Sequence, residues 1–199
     1  SDGESTENPY FLDFLELGKS LGIDMAVGTN GLKLPMEHAE RLLKSLTYLR
    51  ININAAEPQA YASVMGTTVK NYHRVLQNVA ELVRIKRQIG ASTTIGFQMV
   101  LLPEYADQVL PLAELGRDLG VDYTVIKHCS DDEDGRLGVD YSWYLTEEAT
   151  QLLRAAESLS TDSYSVQAKW SKMRTGRDRK YSRCLGTALF LQMSGTGIV

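Results

Sequence analysis

The feature that most restricts the fold is an alternation, along most of the chain, of apolar runs of strand length with amphipathic runs of helical period. Its anchor is Thr93 to Leu102, a nearly uninterrupted apolar run that predicts a strand buried on both faces. Before it, Val69 to Gln88 predicts a long helix with Val75, Leu76, Val79, Leu82 and Val83 on one face, closed by Gly90. After it, Glu104 to Leu119 reads as helix with Gly120 beyond its end, and Asp122 to Lys127 as a second buried strand. The remaining segments repeat the theme. Pro9 to Leu21 is predicted helical, with Asn8 as N-cap and Pro9 at the first helical position. Ile23 to Val27 is a strand ending in the turn Gly28-Thr29-Asn30-Gly31. Met36 to Leu46 is helix, Leu49 to Ala55 strand, and Gln59 to Val64 a short helix stopped by Gly66. Thr146 to Leu159 is helix and Tyr164 to Trp170 strand. Strands alternating with helices of this length imply parallel βαβ units with right-handed crossovers. An open doubly wound sheet and a barrel both satisfy the pattern.

The last stretch differs in kind. Trp170 to Arg183 is basic and polar and reads as a linker without a helical stripe. Leu189 to Met193, Ser194-Gly195-Thr196-Gly197 and Ile198-Val199 read as an unfinished β-hairpin. A domain boundary is expected near residue 175, dividing the chain into 1–174 and 175–199.

Charge and cysteine content exclude several classes. With 21 Lys+Arg against 25 Asp+Glu the formal charge is −4, so no basic footprint recommends a nucleic acid partner. No apolar run approaches the ~20 residues that span a bilayer, so no membrane partner is expected. The polar, acidic start carries no secretory signal, and the cytoplasm is the expected compartment. Cys129 and Cys184 are too few and too isolated for a disulfide framework. With His38, His73 and His128 they show no metal-ligand spacing.

In a parallel α/β architecture, ligands gather at the C-terminal ends of the strands. That rule selects Asp2-Gly3-Glu4, Thr29-Asn30, Asn52 and Asn54, Gln98, and Lys127-His128-Cys129. Asn has poor strand propensity, yet Asn52 and Asn54 alternate within one strand and so share a face. If that face is interior, a polar ligand would satisfy their amides; otherwise they mark the solvent face of an edge strand. Gly3-Glu4 suits either a ligand ammonium or an acidic, frayed terminus. Lys127-His128-Cys129 suits either a base or nucleophile or ordinary packing, and Gln98 either a ligand or the core.

Several stretches, in order, resemble the successive barrel landmarks of the radical S-adenosylmethionine (radical SAM) enzymes. Asp2-Gly3-Glu4-Ser5-Thr6-Glu7-Asn8-Pro9 resembles the "GGEP…NP" loop that grips the methionine amino group of SAM. Gly28-Thr29-Asn30-Gly31 resembles the "TNG" ending the third strand. Arg50 to Asn54, with Tyr61 and Met65-Gly66, resembles the fourth-strand pattern "R-S-x-D … Y … x-G", in which the residue matching Asn52 reaches the ribose. Thr94 to Glu104 resembles the fifth strand, and Leu119 to Tyr123 with Val125-Ile126-Lys127 the sixth. Cys184 and Gly195 to Val199 resemble the start of a SPASM or Twitch extension, which makes Cys184 an expected ligand of an auxiliary iron–sulfur cluster. Asp2 and Asn54 depart from the pattern, and the C-x-x-x-C-x-x-C loop that holds the family's [4Fe–4S] cluster is not in this sequence.

The resemblance implies an α/β fold: a partial parallel (β/α) TIM-like barrel of the radical SAM type, with the N-terminal strands and the cluster loop lying before Ser1. It implies SAM and a [4Fe–4S] cluster as cofactors, a small-molecule or peptide substrate, and an electron donor such as flavodoxin or ferredoxin. Gly3 and Glu4 are expected at the methionine end of SAM and Asn52 at the ribose. Thr29, Asn54, Gln98 and Lys127 are expected to face SAM or substrate. Two other readings remain open: a barrel lyase using Lys127 as a Schiff-base lysine, and a non-catalytic SAM- or nucleotide-binding module.

Overall fold

The computed structural model describes residues 3–131, 134–175, 182–183 and 186. Five parallel strands form one sheet: β1 (Ala26–Thr29), β2 (Tyr48–Asn52), β3 (Thr94–Leu101), β4 (Tyr123–His128) and β5 (Ser165–Ala168). Their spatial order is their sequence order. That order lacks the reversal of one of the two architectures left open by the sequence. A doubly wound sheet reverses its strand order at a switch point. Strands added always at the same edge by right-handed crossovers keep every connecting helix on one face. The connecting helices are α2 (Ala39–Ser45), α3 (Pro58–Val64), α4 (Val69–Ile89), α5 (Val109–Leu119) and α6 (Glu147–Glu157), with α1 (Phe11–Ser20) preceding β1. Successive helices touch, α1 with α2, α2 with α4, α4 with α5 and α5 with α6.

The core lies between these helices and one face of the sheet. Leu49 and Ile51 on β2, Ile95, Phe97, Met99 and Leu101 on β3, and Ile126 on β4 are fully buried there. Val75, Val79 and Leu82 of α4 meet them, realising the stripe predicted from the sequence. Some polar groups on this face are satisfied locally, whereas His128 Nδ1 has no hydrogen-bond partner among the described residues. The Tyr164 hydroxyl donates to the Ala113 carbonyl at 2.6 Å and lies 2.8 Å from the Thr124 hydroxyl. Phe14, Leu17 and Leu21 on the outer side of α1 stay exposed.

Several boundaries shift, each for a local reason. The first strand is Ala26–Thr29 rather than Ile23 to Val27. Gly22, at φ 77°, turns the chain so that the Ile23 amide donates back to the Gly18 carbonyl at 3.0 Å, which makes Ile23 part of the α1 C-terminal cap. Asn8 is not the N-cap; that position is Tyr10, whose amide donates to Asn8 Oδ1. The predicted helix from Glu104 begins as a 3₁₀ turn, Pro103–Gln108, and becomes α5 only at Val109 because Tyr105 leaves helical geometry. The strand read as Leu49 to Ala55 is Tyr48–Asn52, and the one read from Tyr164 to Trp170 is Ser165–Ala168. Trp170 is not the start of an unstructured linker but of a helix, α7 (Trp170–Thr175). Its indole N–H donates to Glu157 Oε1 at 2.9 Å, and Arg154 and Arg174 lie over its ring. Cys184 and the hairpin of residues 189–199 lie outside the described residues.

Candidate functional site

The helix-free face of the sheet carries the polar side chains. Registers across the strands put them in rows. One row is Gly28, Arg50, Gly96, Tyr123 and Ser165; the next toward the C-terminal ends is Asn52, Gln98, Val125 and Gln167; Val100 and Lys127 follow. Asn52 and Gln98 pair directly, the Gln98 amide donating to Asn52 Oδ1 at 3.0 Å. Gln98 therefore stays in the sheet at 6% exposure without being an orphan.

Above that row the strand-end loops converge. Glu4 Oε2 accepts the Asn30 backbone N–H at 2.8 Å, across 26 residues of sequence. Its other oxygen accepts from the Thr6 backbone and hydroxyl. A half-buried carboxylate thus ties the N-terminal loop to the turn after β1, with the exposed Gly3 beside it. That turn is built tightly. Gly31, at φ 78°, fits under Ile51 and Val75, where a Cβ would lie 3.2 Å from each. Asn78 of α4 donates to the Gly31 carbonyl at 2.9 Å.

The structure separates the sequence candidates by face and by partner. Glu4, Asn52, Gln98 and Lys127 border the open face. Thr29 pairs in register with Ile51 and so lies on the helix-covered side. It is 1% exposed, and its hydroxyl accepts the Gly31 N–H at 3.1 Å. Asn30, selected with Thr29 from the sequence, is the residue of that turn whose backbone N–H meets Glu4. The strand ends at Asn52, and Asn54 beyond it uses Oδ1 to accept the Val100 N–H at 2.8 Å. The loop after Asn54 is held by Gln108, whose Oε1 accepts the Ala56 and Glu57 amides at 3.2 and 3.0 Å. Nothing local in the sequence flags Gln108, because its partners lie 52 and 51 residues away.

Electrostatically the face is cationic. Arg50, Lys127 and Lys169 make no ion pair with any carboxylate among the described residues. Burial, with the Arg50 charge second, lowers the Lys127 pKa from its ordinary value. Burial, with the charges of Asp131 and Glu104, raises that of Cys129 and makes it a poor thiolate. His128 points to the other face, against Tyr141 and Tyr144. The described residues include no group of three His, Cys, Asp or Glu side chains suited to a metal ion. They include no helix long and apolar enough to cross a membrane.

No protein-family model and no curated protein matches the sequence. Solved structures do match the fold. Streptococcus suis SuiB bound to S-adenosylmethionine superposes with a TM-score of 0.64 at 15% identity over 90% of this chain. A domain of pyruvate-formate lyase-activating enzyme from Bacteroides vulgatus gives 0.59 at 13% identity, covering 84% of this chain and 96% of that one. Archaeal TYW1 gives 0.55 at 17% identity, over 80% of this chain and 48% of that one. The chain spans 41% of the length of SuiB. These neighbours are radical SAM enzymes, and the sequential parallel sheet with helices on one face is a radical SAM-like α/β fold.

Proposed function

We propose that the chain is the SAM-binding core of a radical SAM enzyme. The observation that carries this reading is the convergence of Glu4, Asn30 and the Asn52–Gln98 pair at the C-terminal edge of a parallel sheet wound in sequence order. Ligands collect at that edge in such folds. Glu4 retains carboxylate lone pairs for an ammonium, with Gly3 leaving the backbone approachable. Asn52 and Gln98 offer amide groups to ribose hydroxyls. Thr29 acts through the turn it holds, and Asn54 through the loop it anchors, while Lys127 faces SAM or substrate. When bound, SAM supplies the adenosyl group that radical chemistry requires.

The described residues carry no set of ligands for an iron–sulfur cluster. Cys129 is the one cysteine among the described residues, and its surroundings do not suit a cluster. In this proposal the [4Fe–4S] ligands are not among the residues of this sequence, and the sheet belongs to an α/β barrel. Cys184 ligates an auxiliary cluster in an extension that begins near residue 175, and flavodoxin or ferredoxin donates electrons in the cytoplasm. SuiB has been seen with its precursor peptide SuiA, which supports a peptide over other small substrates.

Calorimetric titration with SAM tests the core of the proposal. Glu4→Gln and Asn52→Leu should each weaken binding by about tenfold, the scale of one lost charge-assisted or buried hydrogen bond. SAM binding that neither variant disturbs would overturn the site. SAM binding with no radical activity in a longer chain carrying the cysteine loop would return the protein to a binding module. The Schiff-base reading has one observation in its favour, the lowered pKa of Lys127. Borohydride trapping of a 2-oxo acid on Lys127, lost in Lys127→Ala, would establish it.

A further inference from the structure

The row below Asn52 and Gln98 holds groups that the SAM reading leaves unused. It runs Gly28, Arg50, Gly96, Tyr123, Ser165, with two glycines flanking Arg50. The Arg50 guanidinium lies over Gly28, where a Cβ would come within 3.1 Å of Nη2. The Tyr123 ring lies over Gly96, where a Cβ would sit 2.1 Å from it. That ring stacks on Tyr48 with centroids 5.8 Å apart and planes 6° from parallel. Two buried donors in this row have no hydrogen-bond partner among the described residues: Arg50 Nε–H and the Tyr123 hydroxyl. Buried polar groups in folded proteins are nearly always paired, so each such orphan calls for an explanation.

The surroundings specify the complement. A hollow of about 420 Å³ opens over this part of the sheet, lined by Tyr48, Arg50, Gln98, Tyr123, Gln167 and Lys169 among others. That is the size of a small-molecule pocket or of one recognised side chain. Asp122 is the carboxylate on its rim, and it is engaged already by Lys86 at 2.5 Å and by the Ile95 amide at 2.6 Å. Among the described residues, Arg50, Lys127 and Lys169 thus leave this face with positive charge that no carboxylate pairs. Burial, and then the neighbouring Tyr48 hydroxyl, drive the Tyr123 pKa upward, so the phenol stays a neutral donor. A guanidinium edge beside a phenol donor matches a planar carboxylate, with two oxygens for two donors.

We propose that this hollow binds a carboxylate of the substrate, free or on an acidic residue, through Arg50 and Tyr123, with Lys127 and Lys169 supplying longer-range positive charge. The assignment to the substrate rests on the SAM-core reading, which gives SAM the strand-end row above.

The test uses the chain with glutarate, its uncharged diamide and inorganic phosphate as probes. Calorimetry and the Arg50 Nε–H resonance should both report saturable glutarate binding and none for the diamide. Arg50→Lys keeps the charge but loses the guanidinium edge, and should weaken glutarate by about tenfold. Tyr123→Phe removes one hydroxyl and leaves the stack in place, and should weaken it by about threefold. Circular dichroism and melting establish that both variants fold. Absence of saturable binding, equal binding of the diamide, tighter binding of phosphate, or unchanged affinity in both folded variants would overturn the proposal. SAM affinity separates the two readings. Both variants should leave it within about twofold if Arg50 serves the substrate. A parallel loss would overturn the assignment, because the carboxylate would be SAM's own. Glutarate binding without any SAM binding would instead overturn the SAM-core reading and leave the anion site standing.

Discussion

The two faces of the sheet are made by the same strands and obey opposite rules. Toward the helices, Leu49, Ile51, Phe97, Met99 and Ile126 are fully buried, and of the polar groups among them Thr124 pairs with Tyr164 while His128 Nδ1 has no hydrogen-bond partner among the described residues. Toward the open side, alternate residues of the same strands are Arg50, Asn52, Gln98, Tyr123 and Lys127, and two buried donors stand unpaired. Alternation along a strand lets one segment serve both purposes. The covered face supplies folding stability, and the open face carries most of the sheet's polar side chains. Unpaired polar groups cost stability where they sit, and they persist where a ligand repays them.

The contrast is broken most severely from the covered side. Phe97→Ala should cost about 3–5 kcal/mol in urea denaturation, because the ring fills space between β3 and α5 that cannot collapse. A midpoint unchanged from the parent would deny that face its role. Next comes Gly96→Ala, a single methyl group on the open side. It collides with the Tyr123 ring and should cost about 1–3 kcal/mol. Adding Tyr123→Ser should recover part of that loss, and an additive double variant would show that the two residues do not touch in solution.

Arg50→Met sharpens the comparison in the opposite direction. Removing an orphaned buried donor from the ligand-free chain should raise stability by about 1 kcal/mol while abolishing glutarate binding. A large loss of stability would instead place Arg50 among the groups that hold the fold. The smallest effect belongs to Lys127. Its folded-state pKa lies below the ordinary 10.5, so the unfolded chain holds that proton more tightly. Stability should therefore rise with pH between the lowered value and 10.5 and level off above it, and Lys127→Met should flatten that rise. A slope of the other sign would mean that an acidic partner reaches the lysine.

Much of this architecture was legible from periodicity. The apolar run of β3 and the stripe of α4 announced themselves because burial there is continuous and propensity agrees with it. Where the reading slipped, a short-range cap or a long-range contact had the deciding influence. Gly22 folded Ile23 back onto α1, and Trp170 opened a helix whose indole is secured by Glu157 rather than by any stripe of its own. The strand-end rule found Glu4, Asn52, Gln98 and Lys127 but could not assign Thr29 to the covered face, since which way β1 presents its residues depends on register with β2. Arg50 and Tyr123 were equally hidden as a pair. They share a row only because β3 places Gly96 between them.

Asn54 and Gln108 fasten the chain where it leaves β2, and both do so with side-chain amides rather than with backbone pairing. A latch of that kind can be undone without unzipping the sheet. Beyond Ile53, whose N–H still pairs with the Gln98 carbonyl, residues 54–57 can then exchange their amide hydrogens on their own timetable, faster than the strand they follow, while the five strands keep their alignment.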